Sequence, residues 1–171
     1  MPMIGKGNQG FSLLELLLTL FLLALLATLA VPAMQGLVDR QRLRVTTETL
    51  AAELRAASRA AMRLDRPVLG RFDISTPDRW CLALSDRADC PCDDADCSLG
   101  GRNAGLNSDR LPGVRLGTSF PRHRLRFGPL RGGARPGTIY LQAGHTEARI
   151  VISSLGRIRV CGRRLGDYPP C

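Results

Sequence analysis

The residues best placed to do chemistry are arginines at alternate positions near the end of the chain: Gly156-Arg157-Ile158-Arg159, then Cys161-Gly162-Arg163-Arg164, with Cys171 beyond. A guanidinium makes forked hydrogen bonds to phosphate oxygens, so such a run suits nucleic acid. In a strand, Arg157 and Arg159 point to one face about 7 Å apart, while Ile158 and Val160 turn to the other and anchor it. Arg122, Arg124 and Arg126 show the same alternation. Charge is segregated along the chain. From Arg110 to Cys171 there are 12 arginines against Glu147 and Asp167, a net of +10. From Phe11 to Asp109 there are 11 arginines against 13 acids. Such a cationic region suits an anionic partner. Tyr168 is the only aromatic residue of the tail, which favours phosphate contacts over base reading and steep salt dependence. Two plainer readings stay open. The arginine face is simply solvated, or Arg157 or Arg159 pairs with Glu147 or Asp167.

Cys81, Cys90, Cys92, Cys97, Cys161 and Cys171 all follow the apolar run described below. Six cysteines allow 15 pairings, and sequence does not choose among them. A Cys161–Cys171 bridge would close the basic tail into a loop. The cluster "CPCDDADC" raises zinc as a rival, but it lacks two separated CxxC knuckles, and its aspartates miss EF-hand spacing. Disulfides in an oxidising compartment are the favoured expectation, with no metal and no cofactor. His123 and His145 are the only histidines, and neither lies in a nucleophile or metal motif; enzymatic activity is not expected.

The elements that must carry these residues begin with an apolar run from residue 11 to 31, long enough to span roughly 30 Å of hydrocarbon. Glu15 interrupts it. An acid there is costly in lipid and needs a partner or a role. "SLLE" from Ser12 to Glu15 matches a helix capping box, and a carboxylate in the first turn suits the helix dipole. The order of segments is not that of a secretory signal, because the polar leader with Lys6 ends in Gly10 directly before the run. Lys6 favours a cytoplasmic leader and an exported remainder.

Helical periodicity continues past Pro32. Leu43, Leu50, Leu54, Ala57, Ala61 and Leu64 form one apolar stripe, and Pro67 ends it. A single helix from residue 11 to about 65 is expected, bent near Pro32 and Gly36. Seven strand signals follow: "VLGRFDI", "WCLAL", "GVRLG", "HRLRF", "TIYLQ", "ARIVIS" and "RIRVC". "STPD", "SLGGRNAGLNSD" and "GPLRGGARPG" read as loops. The expected divisions are a leader over 1–10, a transmembrane half-helix over 11–32, an amphipathic half over 33–66, and a β-rich domain over 67–171.

Gly10-Phe11-Ser12-Leu13-Leu14-Glu15 before a leucine-rich run resembles the class III signal of type IV pilins and type II secretion pseudopilins. The resemblance implies that prepilin peptidase cuts after Gly10 and that Phe11 becomes an N-methylated terminus. It also implies that Glu15 of one subunit neutralises the α-amine of a neighbour in a fibre. Trp80-Cys81-Leu82-Ala83-Leu84, Cys90-Pro91-Cys92, Cys97 and the late Gly156-Arg157-Ile158-Arg159-Val160-Cys161 are similar to the FimT/GspH branch. In the DNA-uptake members of that branch a G-R-x-R motif contacts DNA. The implied fold is α+β, the type IV pilin fold, with a long N-terminal helix packed on a small antiparallel sheet or sandwich. The implied protein is an inner-membrane, single-pass minor pilin with a periplasmic domain, assembled with other major and minor pilins. It would bind double-stranded DNA through Gly156, Arg157, Arg159, Arg163 and Arg164, aided by Arg124 and Arg126, during natural transformation. The alternatives are a structural minor pilin that primes assembly without touching DNA, and the H-type pseudopilin of a type II secretion system.

Overall fold

A computed structural model describes residues 12–86, 90–92, 97–163, 165 and 168–171, without the side chains at 29, 31–33, 102, 103 and 131. Helix α1 runs Leu13–Leu64, close to the expected span. The Leu16 amide donates to the Ser12 carbonyl at 3.1 Å, which makes Ser12 the N-cap. Among the described residues, neither Ser12 nor Glu15 makes the side-chain bonds of a capping box. At the other end Asp65 takes a left-handed φ of 50°, and the Arg66 amide reaches back to the Ala61 carbonyl at 3.2 Å. That is a Schellman closure, and Pro67 follows it.

The chain divides into two compact units, Met1–Leu37 and Val38–Cys171. Pro32 and Gly36, expected at a bend, fall inside the unbroken helical span of α1, just ahead of this division. In the first unit the described leucines from Leu13 to Leu26 are all exposed. Among the described residues no helix is long and apolar enough to cross a membrane. The span read over 11–32 also involves Phe11 and the side chains at 29, 31 and 32, which lie outside that description.

In the second unit the apolar stripe of α1 does what its spacing requires. Leu43, Leu50, Leu54, Ala57 and Ala61 are fully buried, and Leu64 is partly so. Arg40, Arg42, Glu48 and Arg59 stay exposed on the other side. The strands are β1 (Val68–Thr76), β2 (Arg79–Ser85), β3 (Ser98–Leu99), β4 (Arg102–Asn103), β5 (Leu106–Asn107), β6 (Arg115–Thr118), β7 (Arg124–Phe127), β8 (Gly137–Ala143), β9 (Thr146–Ile152) and β10 (Ile158–Arg163). They form two four-stranded antiparallel sheets, ordered β5-β2-β1-β7 and β10-β9-β8-β6. One continuous core joins them to α1, and all of it comes from residues 43–168. All seven sequence signals correspond to strands.

The stretch "SLGGRNAGLNSD", expected as loop, holds three more. β3 and β4 form a small hairpin whose turn residues, Gly100 and Gly101, both have positive φ, as a tight two-residue connection demands. β5 is recruited by backbone pairing, Leu106 with Leu82 and Asn107 with Cys81. Disulfides Cys81–Cys92 and Cys90–Cys97 fasten the segment between β2 and β3. The cysteines of "CPCDDADC" are therefore tied to one another and to β2, and the zinc alternative loses its thiolates.

Candidate nucleic-acid interface

β10 is an edge strand, and its burial follows the expected alternation at the start. Ile158 and Val160 pack against the core, while Arg159 is exposed. Arg157 is also exposed but lies one residue before the strand, in the five-residue turn from Ser153 that joins β9 to β10. That turn is closed by backbone and side-chain bonds. The Ser153 amide donates to the Arg157 carbonyl at 3.0 Å, and the Arg157 amide donates to Ser153 Oγ at 3.1 Å. Gly156 has φ 71°, and a β-carbon there would collide with the Gly132 carbonyl. The glycine of the Gly-Arg-x-Arg run is thus needed by the backbone.

The tail is bridged as Cys161–Cys171. The Gly162 amide donates to the Pro169 carbonyl at 3.0 Å, so the tail runs back beside β10 and covers part of its open edge. Leu165 is buried, and Tyr168 Oη donates to Glu48 of α1 at 2.5 Å. The loop is thereby clamped between the edge strand and the helix. Arg163 ends β10 exposed, opposite Glu147 in register. Arg164 and Asp167 lie outside the described residues, as do Gly10 and Phe11. Among the described residues no ion pair engages Arg157, Arg159 or Arg163, so pairing of the first two with Glu147 is not what the fold provides.

Arg124 and Arg126 sit on β7, an edge of the other sheet, exposed while Leu125 and Phe127 are buried. They are not neighbours of Arg159 in a sheet. Their strand is nevertheless linked to the Arg157 turn through the 134–135 dipeptide. The Arg135 amide donates to the Arg126 carbonyl at 3.0 Å, and the Ala134 amide donates to the Ser154 carbonyl at 3.0 Å. Arg122 precedes β7 in a short 3-10 turn, where it and His123 both have φ 54°. His123 Nδ1 shares a hydrogen bond with Thr118 Oγ1 at 3.0 Å.

Sequence reading passed over two residues on the outward face of the second sheet. Tyr140 pairs in register with Arg149, which pairs with Cys161; in the next row Thr138, Val151 and Arg159 stand side by side. The Arg149 guanidinium lies over the Tyr140 ring, 5.5 Å from its centroid. Both belonged to recognised strand signals with outward parity. Only the register shows that they adjoin Arg159.

The family model described as type II transport protein GspH matches residues 46–156, and the prokaryotic N-terminal methylation motif matches residues 5–31. Type II secretion system protein H of Xanthomonas campestris pv. campestris is 38% identical over 66 residues, a stretch covering 39% of either chain. Among solved structures, the type IV minor pilin FimU of Pseudomonas aeruginosa superposes with a TM-score of 0.53 at 18% identity, over 78% of this chain and 96% of its own. The minor pseudopilin EpsH of the Vibrio cholerae type 2 secretion system superposes with a TM-score of 0.50 at 15% identity, over 70% of this chain and 95% of its own. At these identities the likeness is one of fold, and the fold is that of type IV pilins.

Proposed function

This chain belongs to the GspH family of minor pilins and pseudopilins, and from that premise we propose that it is a type IV minor pilin that captures double-stranded DNA for uptake in natural transformation. Prepilin peptidase cuts it after Gly10, and Phe11 becomes the methylated N-terminus. The apolar half of α1 anchors it in the inner membrane with the Val38–Cys171 unit in the periplasm, until it joins other pilins in a fibre. There Glu15 pairs with a neighbour's α-amine. An exposed acid inside an otherwise apolar helical surface supports that pairing, since it has no partner among the described residues.

The observation that carries DNA capture is the presentation of Arg157 and Arg159. Both are exposed and free of described acids, Arg157 on a turn closed by its bonds to Ser153 and Arg159 on an edge strand tied to the tail by the Cys161–Cys171 bridge. The backbone that carries them is fixed, and the planar guanidinium fork makes paired bonds to phosphate at less entropy cost per bond than a flexible ammonium. Arg163 and Arg164 extend the contact along the tail, and Arg124 and Arg126 supply a second patch. The phosphate backbone is the target, so affinity depends steeply on salt and little on sequence. A mobility-shift titration of the Val38–Cys171 unit on duplex DNA over a range of salt tests the reading. Absence of binding at low salt overturns it.

A second reading is favoured by the relative named for type II secretion: an H-type pseudopilin whose partners are other pseudopilins and exported proteins. A third is a structural minor pilin that primes assembly. Neither requires Arg157 and Arg159, so the double alanine variant separates them from the first.

A further inference from the structure

The second sheet's outward face holds a hollow of about 320 Å³, floored by Thr138, Tyr140, Arg149, Val151 and Arg159 and walled by the tail at Pro169, Pro170 and Cys171. Its size falls at the lower end of the range of about 300–1,000 Å³ typical of small-ligand sites. Among the described residues no acidic side chain lines it. The neighbouring hollow, across the Tyr140–Arg149 pair, is different: it contains Arg115 but also Glu147. From Val38 onward Tyr140 is the one described Phe, Tyr or Trp side chain that is exposed, at 43%; the Trp80, Phe72, Phe120 and Phe127 rings are buried and Tyr168 is partly so.

We propose that this hollow is a nucleotide subsite for single-stranded DNA. A base stacks on the Tyr140–Arg149 pair while Arg159 and the edge of Arg149 hold its phosphates. A ring carrying a guanidinium is a platform for any base, because every base has a π-face and the cation adds attraction without reading sequence. Arg159 belongs both to the hollow and to the duplex-binding row, so a frayed strand end reaches the platform from the duplex it leaves. Pro169, Pro170 and Cys171 wall one side of the hollow, and on this proposal that wall favours a single unpaired base over a base pair. The inference rests on the DNA reading above and adds strand selectivity to it.

Equilibrium binding of the Val38–Cys171 unit, which carries its own complete core, to a labelled oligothymidylate and to a blunt duplex of equal length tests the proposal. Tyr140→Leu should weaken the single strand roughly tenfold, the loss expected for one stacked base, and leave the duplex within about twofold. Tyr140→Phe should restore single-strand binding, which a merely structural role for the hydroxyl would not. Arg149→Gln is the second variant, expected to weaken the single strand more than the duplex. Thermal melts establish that each variant folds. Duplex binding without single-strand binding by the unsubstituted unit overturns the subsite alone. So does an equal loss, or no loss, for both ligands in Tyr140→Leu. Binding of neither ligand overturns the DNA reading and the subsite with it.

Discussion

The α-carbon of Gly156 lies against the carbonyl oxygen of Gly132, with no space between them for a β-carbon. This approach brings the β9–β10 turn onto the segment that also bonds Ser154 and Arg126, and it fixes where Arg157 starts. Glycine is required twice over, by the contact and by φ 71°. Gly156 is thus a positioning residue for the arginines that follow it, with no side chain of its own to offer a ligand.

Gly156→Ala should cost about 2–4 kcal/mol, combining left-handed strain with displacement of the Gly132 backbone. For a unit of this size that lowers Tm by roughly 7–14 °C, read by thermal denaturation. DNA affinity should fall as well, because Arg157 loses its fixed starting point.

Arg157→Ala with Arg159→Ala should weaken binding while the fold stays intact. Both side chains are exposed, and the described residues form no ion pair with them. The slope of log affinity against log salt should fall by roughly two, one for each lost phosphate contact, with Tm almost unchanged. A salt titration in parallel with a melt checks both halves.

Replacing Cys161 and Cys171 together by serine should destabilise the unit by about 2–3 kcal/mol, the range for closing a loop of this length. The Gly162–Pro169 bond and the Tyr168–Glu48 bond then hold an unclosed tail. Urea unfolding gives the energy, and limited proteolysis should show cleavage appearing near Pro169.

At the other end of the chain, Glu15→Gln keeps shape and hydrogen-bonding capacity but removes charge. The variant should reach the membrane fraction at the normal level and be missing from sheared fibres. Normal incorporation would mean that the carboxylate serves only its own helix terminus. Intact mass of the membrane-extracted protein should correspond to a chain starting at N-methylated Phe11.

Much of the architecture follows from local pattern. The stripe from Leu43 to Ala61 recurs at helical spacing, so burying it requires a helix, and Asp65 with Pro67 ends that helix where the stripe ends. The alternation in "ARIVIS" and "TIYLQ" specifies strands because period two puts every other side chain into a core. β3, β4 and β5 carry no such signal. They are short, rich in Gly, Asn and Ser, and exist because β2 and two disulfides offer them partners, which is a tertiary effect.

The sequence by itself determined the helix, the seven long strand segments, the segregation of arginine and the exposure of Arg159, because each depends on charge or periodicity within a few residues. Only the tertiary structure decided which cysteines pair, why Gly156 must be glycine, and that Arg124 and Arg126 belong to a different sheet from Arg159. It also decided that Tyr140 and Arg149 meet beside Arg159. Strand register and loop closure set those relations, and both arise from contacts between residues far apart in the chain. No local pattern records them.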